Sequence, residues 1–228
     1  MITIKNNLFE RPIQLDESFL LSIVIENKKD FRNFLLALKS QLSDDNGLFQ
    51  MYVDGVEKPF NKNVYLVTDP LFFDIDDKKS STIVQKGILS SLSDEQKKSF
   101  NSILCLMEKW VNETTLNAEF KVVYNNDINI SDILKMFSVK FSKVSDNIIE
   151  FFIKNIIITS IISKTKIFFV TNLSHFFNND ELEIIYKELL MNDIHLILLE
   201  SEYEYDKVVF KKTLIIDKDL AEIHINFE

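Results

Sequence analysis

One segment near the carboxyl end of the chain determines the class of fold. The run from Lys166 to Thr171 has four consecutive apolar residues, Ile167 to Val170, which predicts a buried strand. Asn178 then caps a helix whose third residue is Glu181, and His195 to Leu199 predicts a second strand. A strand, a helix and a strand at this spacing form a βαβ unit, in which the strands pair in parallel through a right-handed crossover. The sequence therefore predicts an α/β fold.

The two ends of the chain supply the other strands of this fold. A helix from Lys28 to Leu42 carries apolar residues at helical spacing. Short strands are predicted around it over Ile2 to Lys5, Phe19 to Ile25, Phe49 to Val53 and Val64 to Thr68. Near the other end, Val208 to Ile216 and Ile223 to Phe227 suit antiparallel strands that complete the sheet.

The middle of the chain is predicted to be mainly helical. Ser93 and Gln96 form a capping box before a long amphipathic helix. A strand from Glu119 to Tyr124 follows, and then helices over Ser131 to Val139 and Asp146 to Ser163. The predicted architecture is an α/β head domain made of residues 1–79 and 165–228, with an inserted α-helical leg domain over 80–164.

Composition excludes several classes of protein. The single Cys105 excludes internal disulfides and cysteine-based zinc sites. No secretory signal pattern is present at the start, and the longest apolar run, Ile148 to Ile162, contains Glu150 and Lys154. We therefore expect a cytoplasmic protein that does not cross a membrane.

The usual catalytic and phosphate-binding motifs are also absent. The three glycines are isolated and no GxxxxGK[ST] loop exists, so ATP or GTP hydrolysis by the usual loop is not predicted. No GxSxG motif is present, Cys105 has no nearby histidine in sequence, and the three histidines lack metal-ligand spacing. We therefore predict no catalytic residue and no enzymatic activity.

An oxygen-rich stretch is the candidate metal site. Glu119, Asp127 and Asp132 are separated by asparagines, and hard cations such as calcium take oxygen ligands of this kind. The alternative is a polar turn in which Asp132 lies near a helix start. Glu119 and Lys121 also match the E-x-K half of a metal-dependent nuclease, although no acidic residue on a neighbouring predicted strand completes it.

The charge of the chain is unevenly distributed. The net charge is −9, yet residues 80–165 carry ten lysines against nine acids, which leaves −10 on the remainder. Lysine acts as a point charge toward phosphates, whereas base readout favours Arg, Asn and Gln. The candidate DNA-binding residues, which would contact the backbone without sequence preference, are Lys86, Lys97, Lys98, Lys109, Lys135, Lys140 and Lys143.

Five short motifs in order resemble a known family over nearly the whole chain. It is the small DNA-binding adaptation protein of type II-A CRISPR systems. The motifs are Leu66-Val67-Thr68-Asp69, Phe73-Asp74-Ile75, Ser80-Ser81-Thr82-Ile83, Ile167 to Asn172 with Phe176-Phe177 and Asp180-Glu181-Leu182, and Leu196 to Glu200. The chain departs from the family by an extension, Asp77-Lys78-Lys79, and by a less acidic stretch around Tyr124 to Asp127.

The resemblance implies a function as well as a fold. It implies a P-loop-ATPase-like head without a phosphate-binding loop, a helical leg, and structural calcium. It also implies a ring-shaped homotetramer that holds double-stranded DNA ends in a lysine-lined hole. The implied partners are the CRISPR integrase proteins and effector nuclease, and the process is spacer acquisition in antiviral defence. The alternatives from other classes are a nuclease using Glu119 and Lys121, and a protein scaffold of the adaptation complex.

Overall fold

The computed structural model describes residues 1–15, 20–44, 47–73, 77–116, 118–119, 122–125, 127–140, 147–203 and 211–225. Contacts divide the chain into two compact units. Unit 1 consists of Met1–Ile75 and Val144–Glu228, and unit 2 consists of Asp76–Lys143.

The described residues form ten strands and seven α-helices. The strands are β1 (Ile2–Lys5), β2 (Ile13–Leu15), β3 (Leu20–Ile25), β4 (Gln50–Val53), β5 (Val56–Lys58), β6 (Val64–Val67), β7 (Ile167–Thr171), β8 (His195–Glu200), β9 (Lys211–Ile216) and β10 (Glu222–Ile225). The helices are α1 (Lys28–Asp44), α2 (Phe60–Asn63), α3 (Asp77–Ser91), α4 (Asp94–Thr115), α5 (Ile130–Met136), α6 (Ile148–Ser163) and α7 (Asn179–Met191), with a 3₁₀ turn at Leu173–His175.

Unit 1 is built on two sheets instead of one. A four-stranded antiparallel sheet has the order β2-β1-β4-β5, and a six-stranded sheet has the order β10-β9-β3-β8-β7-β6. The predicted βαβ unit is confirmed, because β7 and β8 pair in parallel with Ile167 opposite His195. The last two strands were predicted to be antiparallel additions. Only β10 is antiparallel, since β9 pairs in parallel with β3.

The six-stranded sheet is covered on both faces. On one face, a first core joins its side chains to α1 and the small sheet, with Phe34, Leu38 and Phe169 fully or nearly fully buried. On the other face, a second core joins it to α6 and α7, with Phe168 at its centre. Phe168 and Phe169 are adjacent, and each points to the opposite face because strand side chains alternate.

Helix α6 belongs to unit 1. The sequence placed it in the leg domain of residues 80–164, but Phe152 and Ile156 are buried in the second core. The side-chain amide of Asn155 also donates to the carbonyl of Phe73, another residue of unit 1, at 3.2 Å. The domain boundaries therefore differ from the predicted ones, because α6 is apolar on most sides and packs against the six-stranded sheet.

Unit 2 contains α3, α4 and α5. The predicted capping box at the start of α4 is confirmed, with the Ser93 hydroxyl accepting from the N–H of Gln96 at 3.2 Å. Buried Gln85 of α3 donates to the carbonyl of Val139, which follows α5, at 3.5 Å. The described residues of the predicted strand from Glu119 to Tyr124, which are Glu119 and residues 122–124, form no strand.

A buried amide on α1 generates a stability prediction. The Gln41 side chain donates to the carbonyl of Phe49 at 2.6 Å and accepts from its N–H at 2.8 Å. We expect Gln41→Leu to destabilise the fold by roughly 2–5 kcal/mol, because two buried backbone groups lose their partner. Urea unfolding measures this, with exposed Ser40→Ala as the control. Equal stability of the Gln41→Leu variant and the wild type would contradict the prediction.

Candidate functional site

The lysines predicted to bind DNA lie in unit 2 and are exposed. The six described ones are Lys86 on α3, Lys97, Lys98 and Lys109 on α4, Lys135 on α5, and Lys140 after α5. Lys143 lies outside the described residues. The structure therefore brings most of the predicted lysines into one compact unit.

Half of these six lysines pair with a carboxylate on the same helix. The pairs, at 3.4–3.9 Å, are Lys97 with Asp94, Lys109 with Glu113, and Lys135 with Asp132. Among the described residues, no carboxylate lies within ion-pair distance of Lys86, Lys98 or Lys140. Exposed ion pairs contribute about 0–1 kcal/mol, so the paired lysines also remain available to an anionic ligand.

Helix α4 has two distinct exposed faces. Lys98 and Lys109 are eleven residues apart, which is about three helical turns, so they lie on one side. Ile103, Leu106 and Trp110 follow an i, i+3, i+7 pattern and are 53%, 68% and 65% exposed. No residue of α4 is buried. The helix therefore presents a lysine face and, beside it, an uncovered apolar stripe.

The three predicted calcium ligands are not gathered into a metal site. Glu119 and Asp127 are exposed, and the Asp132 carboxylate accepts from the N–H of Asn129 at 3.1 Å in the capping box of α5. The bond from Asn129 lowers the pKa of Asp132 below its usual value. Within the described ranges, no three His, Cys, Asp or Glu side chains are grouped to hold a metal. The arrangement matches the alternative of a polar turn at a helix start.

The described residues around the E-x-K pattern do not form the strand that a metal-dependent nuclease would need there. Glu119 lies in a bend, and residues 122–125 after it form no strand, whereas the pattern needs its acid and lysine on one. Lys121 lies outside the described residues.

The carboxyl edge of the parallel sheet is where α/β proteins usually bind ligands. Here the amides at the start of α1 are occupied, because the Asn27 side chain accepts from Lys29 and Asp30 at 3.0 and 3.4 Å. Thr171 at the end of β7 has a structural bond, with its hydroxyl donating to the carbonyl of Thr68 at 3.0 Å. In the described part of this edge, the amides at the start of α1 are therefore not free to bind a phosphate.

Glu200 at the end of β8 is a buried acid that sequence reasoning did not select. Its Oε1 accepts from the N–H and the hydroxyl of Ser174, at 3.1 and 2.9 Å. Burial raises the pKa of Glu200, although the bonds from Ser174 oppose that effect. The sequence did contain a signal that Glu200 is buried. Strand side chains alternate between faces, so Glu200 lies on the same face as Leu196 and Leu198, which belong to the second core.

Residues 41–220 match the sequence model of the family described as CRISPR-associated protein (Cas_Csn2). No curated protein matches the chain. Among solved structures, the chain is similar to a putative ABC transporter (ATP-binding protein) from Pyrococcus furiosus. The identity is 10%, the TM-score is 0.39, and the match covers 93% of this chain and 96% of that chain. In the described residues, no helix has the length and apolar character needed to span a bilayer.

Substitution of Asp132 distinguishes a role in capping α5 from a role in binding calcium. We expect Asp132→Ala to lower the melting temperature with or without calcium, because Asn129 and Lys135 lose their partner. Asp127→Ala, at an exposed carboxylate, is the control and changes nothing without calcium. Since the pKa of Asp132 is lowered, its contribution is present above the ordinary pKa and is lost as pH falls through the lowered one. An Asp132→Ala melting temperature equal to wild type without calcium contradicts a capping role.

Proposed function

The chain belongs to the Cas_Csn2 family of CRISPR-associated proteins, and we propose that it binds double-stranded DNA ends during spacer acquisition. Family membership supports the role in type II-A CRISPR adaptation. The observation that carries the DNA-binding part is the exposed lysine set of unit 2. In this proposal the protein acts in the cytoplasm, binds without sequence preference and catalyses no reaction.

The charge distribution favours unit 2 as the DNA-binding part. Unit 2 contains ten lysines and nine acids, for a charge of +1, while the rest of the chain carries −10. DNA is a polyanion, and binding through phosphates depends on local positive charge. The acidic remainder of the chain is therefore the less suitable surface.

The kind of basic residue favours contacts to the backbone. The only arginines of the chain, Arg11 and Arg32, lie in unit 1, so every basic residue of unit 2 is a lysine. Arginine supplies most bidentate contacts to guanine, whereas lysine binds phosphates as a point charge. A lysine surface of this kind suits DNA of any sequence.

Self-association would give a weakly charged unit enough field to hold a duplex. We propose the ring-shaped homotetramer, in which a P-loop-ATPase-like head and a helical leg form each subunit. The apolar stripe of Ile103, Leu106 and Trp110 supports a second copy as the cover for α4. Since Lys98 and Lys109 lie beside the stripe, pairing through it would bring lysine faces of two subunits close together.

Calcium and the protein partners complete the proposal. Calcium would have a structural role through Glu119, Asp127 and Asp132, and the described geometry does not itself gather these ligands. Calcium titration of the wild type and of Asp127→Ala tests that role. The proposed partners are the CRISPR integrase proteins and the effector nuclease.

Charge reversal tests the DNA-binding surface. We expect Lys98→Glu with Lys140→Glu to weaken binding of a linear duplex by roughly tenfold or more, because phosphate contacts are lost. The slope of log K against log salt should become shallower by about one for each lost contact. The matched control is Lys39→Glu with Lys58→Glu, the same charge change at exposed lysines of unit 1. Equal losses in both double variants, or none, would support the scaffold alternative.

Substitutions in the apolar stripe of α4 test self-association. We expect Ile103→Ser with Leu106→Ser to shift the native mass toward smaller species, because the interface loses apolar area. Leu36→Ser is the control, since Leu36 is 59% exposed on α1. Folding should be unaffected in all of these variants, as the side chains are exposed within the monomer. An unchanged native mass would place the subunit interface elsewhere.

A further inference from the structure

A small cavity in unit 1 contains two buried oxygens without hydrogen-bond partners. They are Oε2 of Glu200 and Oγ of Ser22, and their residues are 2% and 0% exposed. Both residues line the same cavity, whose volume is about 10 Å³. That volume accepts one particle about the size of a water molecule or a metal ion.

Neighbouring bonds fix the direction of the Glu200 carboxylate. Oε1 is held by the N–H and hydroxyl of Ser174, so Oε2 is the oxygen left for another ligand. Ser22 lies on the same face, because Val24 is opposite Glu200 in the parallel pairing of β3 and β8 and strand side chains alternate. Both oxygens therefore belong to β3 and β8, the two central strands of the six-stranded sheet.

A ring nitrogen of His175 lies near the unbonded oxygen of Glu200. Its Nδ1 lies 3.7 Å from Oε2 of Glu200, which is too far for a hydrogen bond. The other His–Glu pair of unit 1 differs, since His224 Nε2 and Glu222 Oε1 are 2.5 Å apart. Two ligands at about 2.1 Å from one zinc ion, at a tetrahedral angle, are about 3.4 Å apart. The His175–Glu200 spacing is close to that of two ligands of one ion.

We propose that Oε2 of Glu200 and Nδ1 of His175 bind a divalent transition-metal ion such as Zn²⁺, with Ser22 Oγ beside it. Mixed nitrogen and oxygen ligands select ions of this class over calcium. His175 is 46% exposed in its side chain, which provides an entry path and leaves coordination positions for water. Ser174 orients the carboxylate from outside the ligand set.

Three further described residues line the cavity. They are Glu202, Tyr203 and Lys211, and Lys211 lowers the pKa of Glu200 without reversing the effect of burial. This site lies in unit 1, whereas Glu119, Asp127 and Asp132 lie in unit 2, so it is a different site from the proposed calcium site.

Calorimetry and histidine NMR test the site with zinc chloride as the probe. The chain has only three histidines, so each ring signal can be assigned by a single variant. We expect the wild type to bind Zn²⁺ with a shift of the His175 ring nitrogens, and calcium chloride at the same concentration to cause no such shift. Glu200→Gln or His175→Gln should weaken zinc binding by more than about tenfold, and Ser174→Ala by roughly tenfold.

His224→Gln is the matched control and should leave zinc binding unchanged. His175→Gln alters a half-exposed side chain, so it keeps the test informative if Glu200→Gln fails to fold. The proposal is overturned if the wild type shows no zinc binding, or if His175→Gln binds zinc as tightly as the wild type. In either case His175 and Glu200 form an ordinary structural pair. DNA binding is not measured here, so its success or failure does not affect this result.

Discussion

The central parallel strands of unit 1 are buried on both faces, and this burial determines how the other elements of unit 1 pack. All residues of β3 and β7 are buried, and so are all but the first of β8. A strand of this kind needs an apolar layer above and below it. Helix α1 and the small sheet supply one layer, and α6 and α7 supply the other. The sheet thus takes up nearly all of the strongly apolar segments of the chain.

Within the described residues, unit 2 contributes no helix or strand to the two cores of the sheet. Its long helix α4 has no buried residue, and its surface combines exposed lysines with an apolar stripe. Uncovered apolar area of this kind is typical of an interaction site. The separation explains how one chain with a net charge of −9 combines a stable acidic scaffold with a part suited to a polyanion. The proposed assembly would bring several such parts together.

Local signals in the sequence were sufficient for much of this fold. The capping boxes at Ser93 and Asn178 were predicted and are present, as is the βαβ unit whose helix α7 follows Asn178. The β4–β5 hairpin was missed, although Asp54 and Gly55, both with positive φ, are a strong two-residue turn signal. Strand β2 was missed as well, and together these misses hid the second sheet, since β2 and β5 are its two edge strands.

Long-range packing accounts for the other differences. Helix α6 was predicted as a helix, but its assignment to unit 1 depends on contacts with a sheet formed by distant segments. For Asp132, the sequence left calcium binding and a place near a helix start as alternatives, and the structure shows its carboxylate bonded in the cap of α5. Glu200 lay just beyond the predicted strand and was not selected, because its buried position exists only once β3, β8 and the 3₁₀ turn meet.

In the proposed ring, DNA enters by its ends, so linear and covalently closed duplexes should differ in affinity. The two DNAs have the same sequence and length, so their phosphates and bases are identical. A ring that must admit an end should bind the linear form with salt-sensitive affinity and bind the closed circle weakly. Equal affinity for both forms at the same salt concentration would show that DNA does not enter a closed ring by its ends.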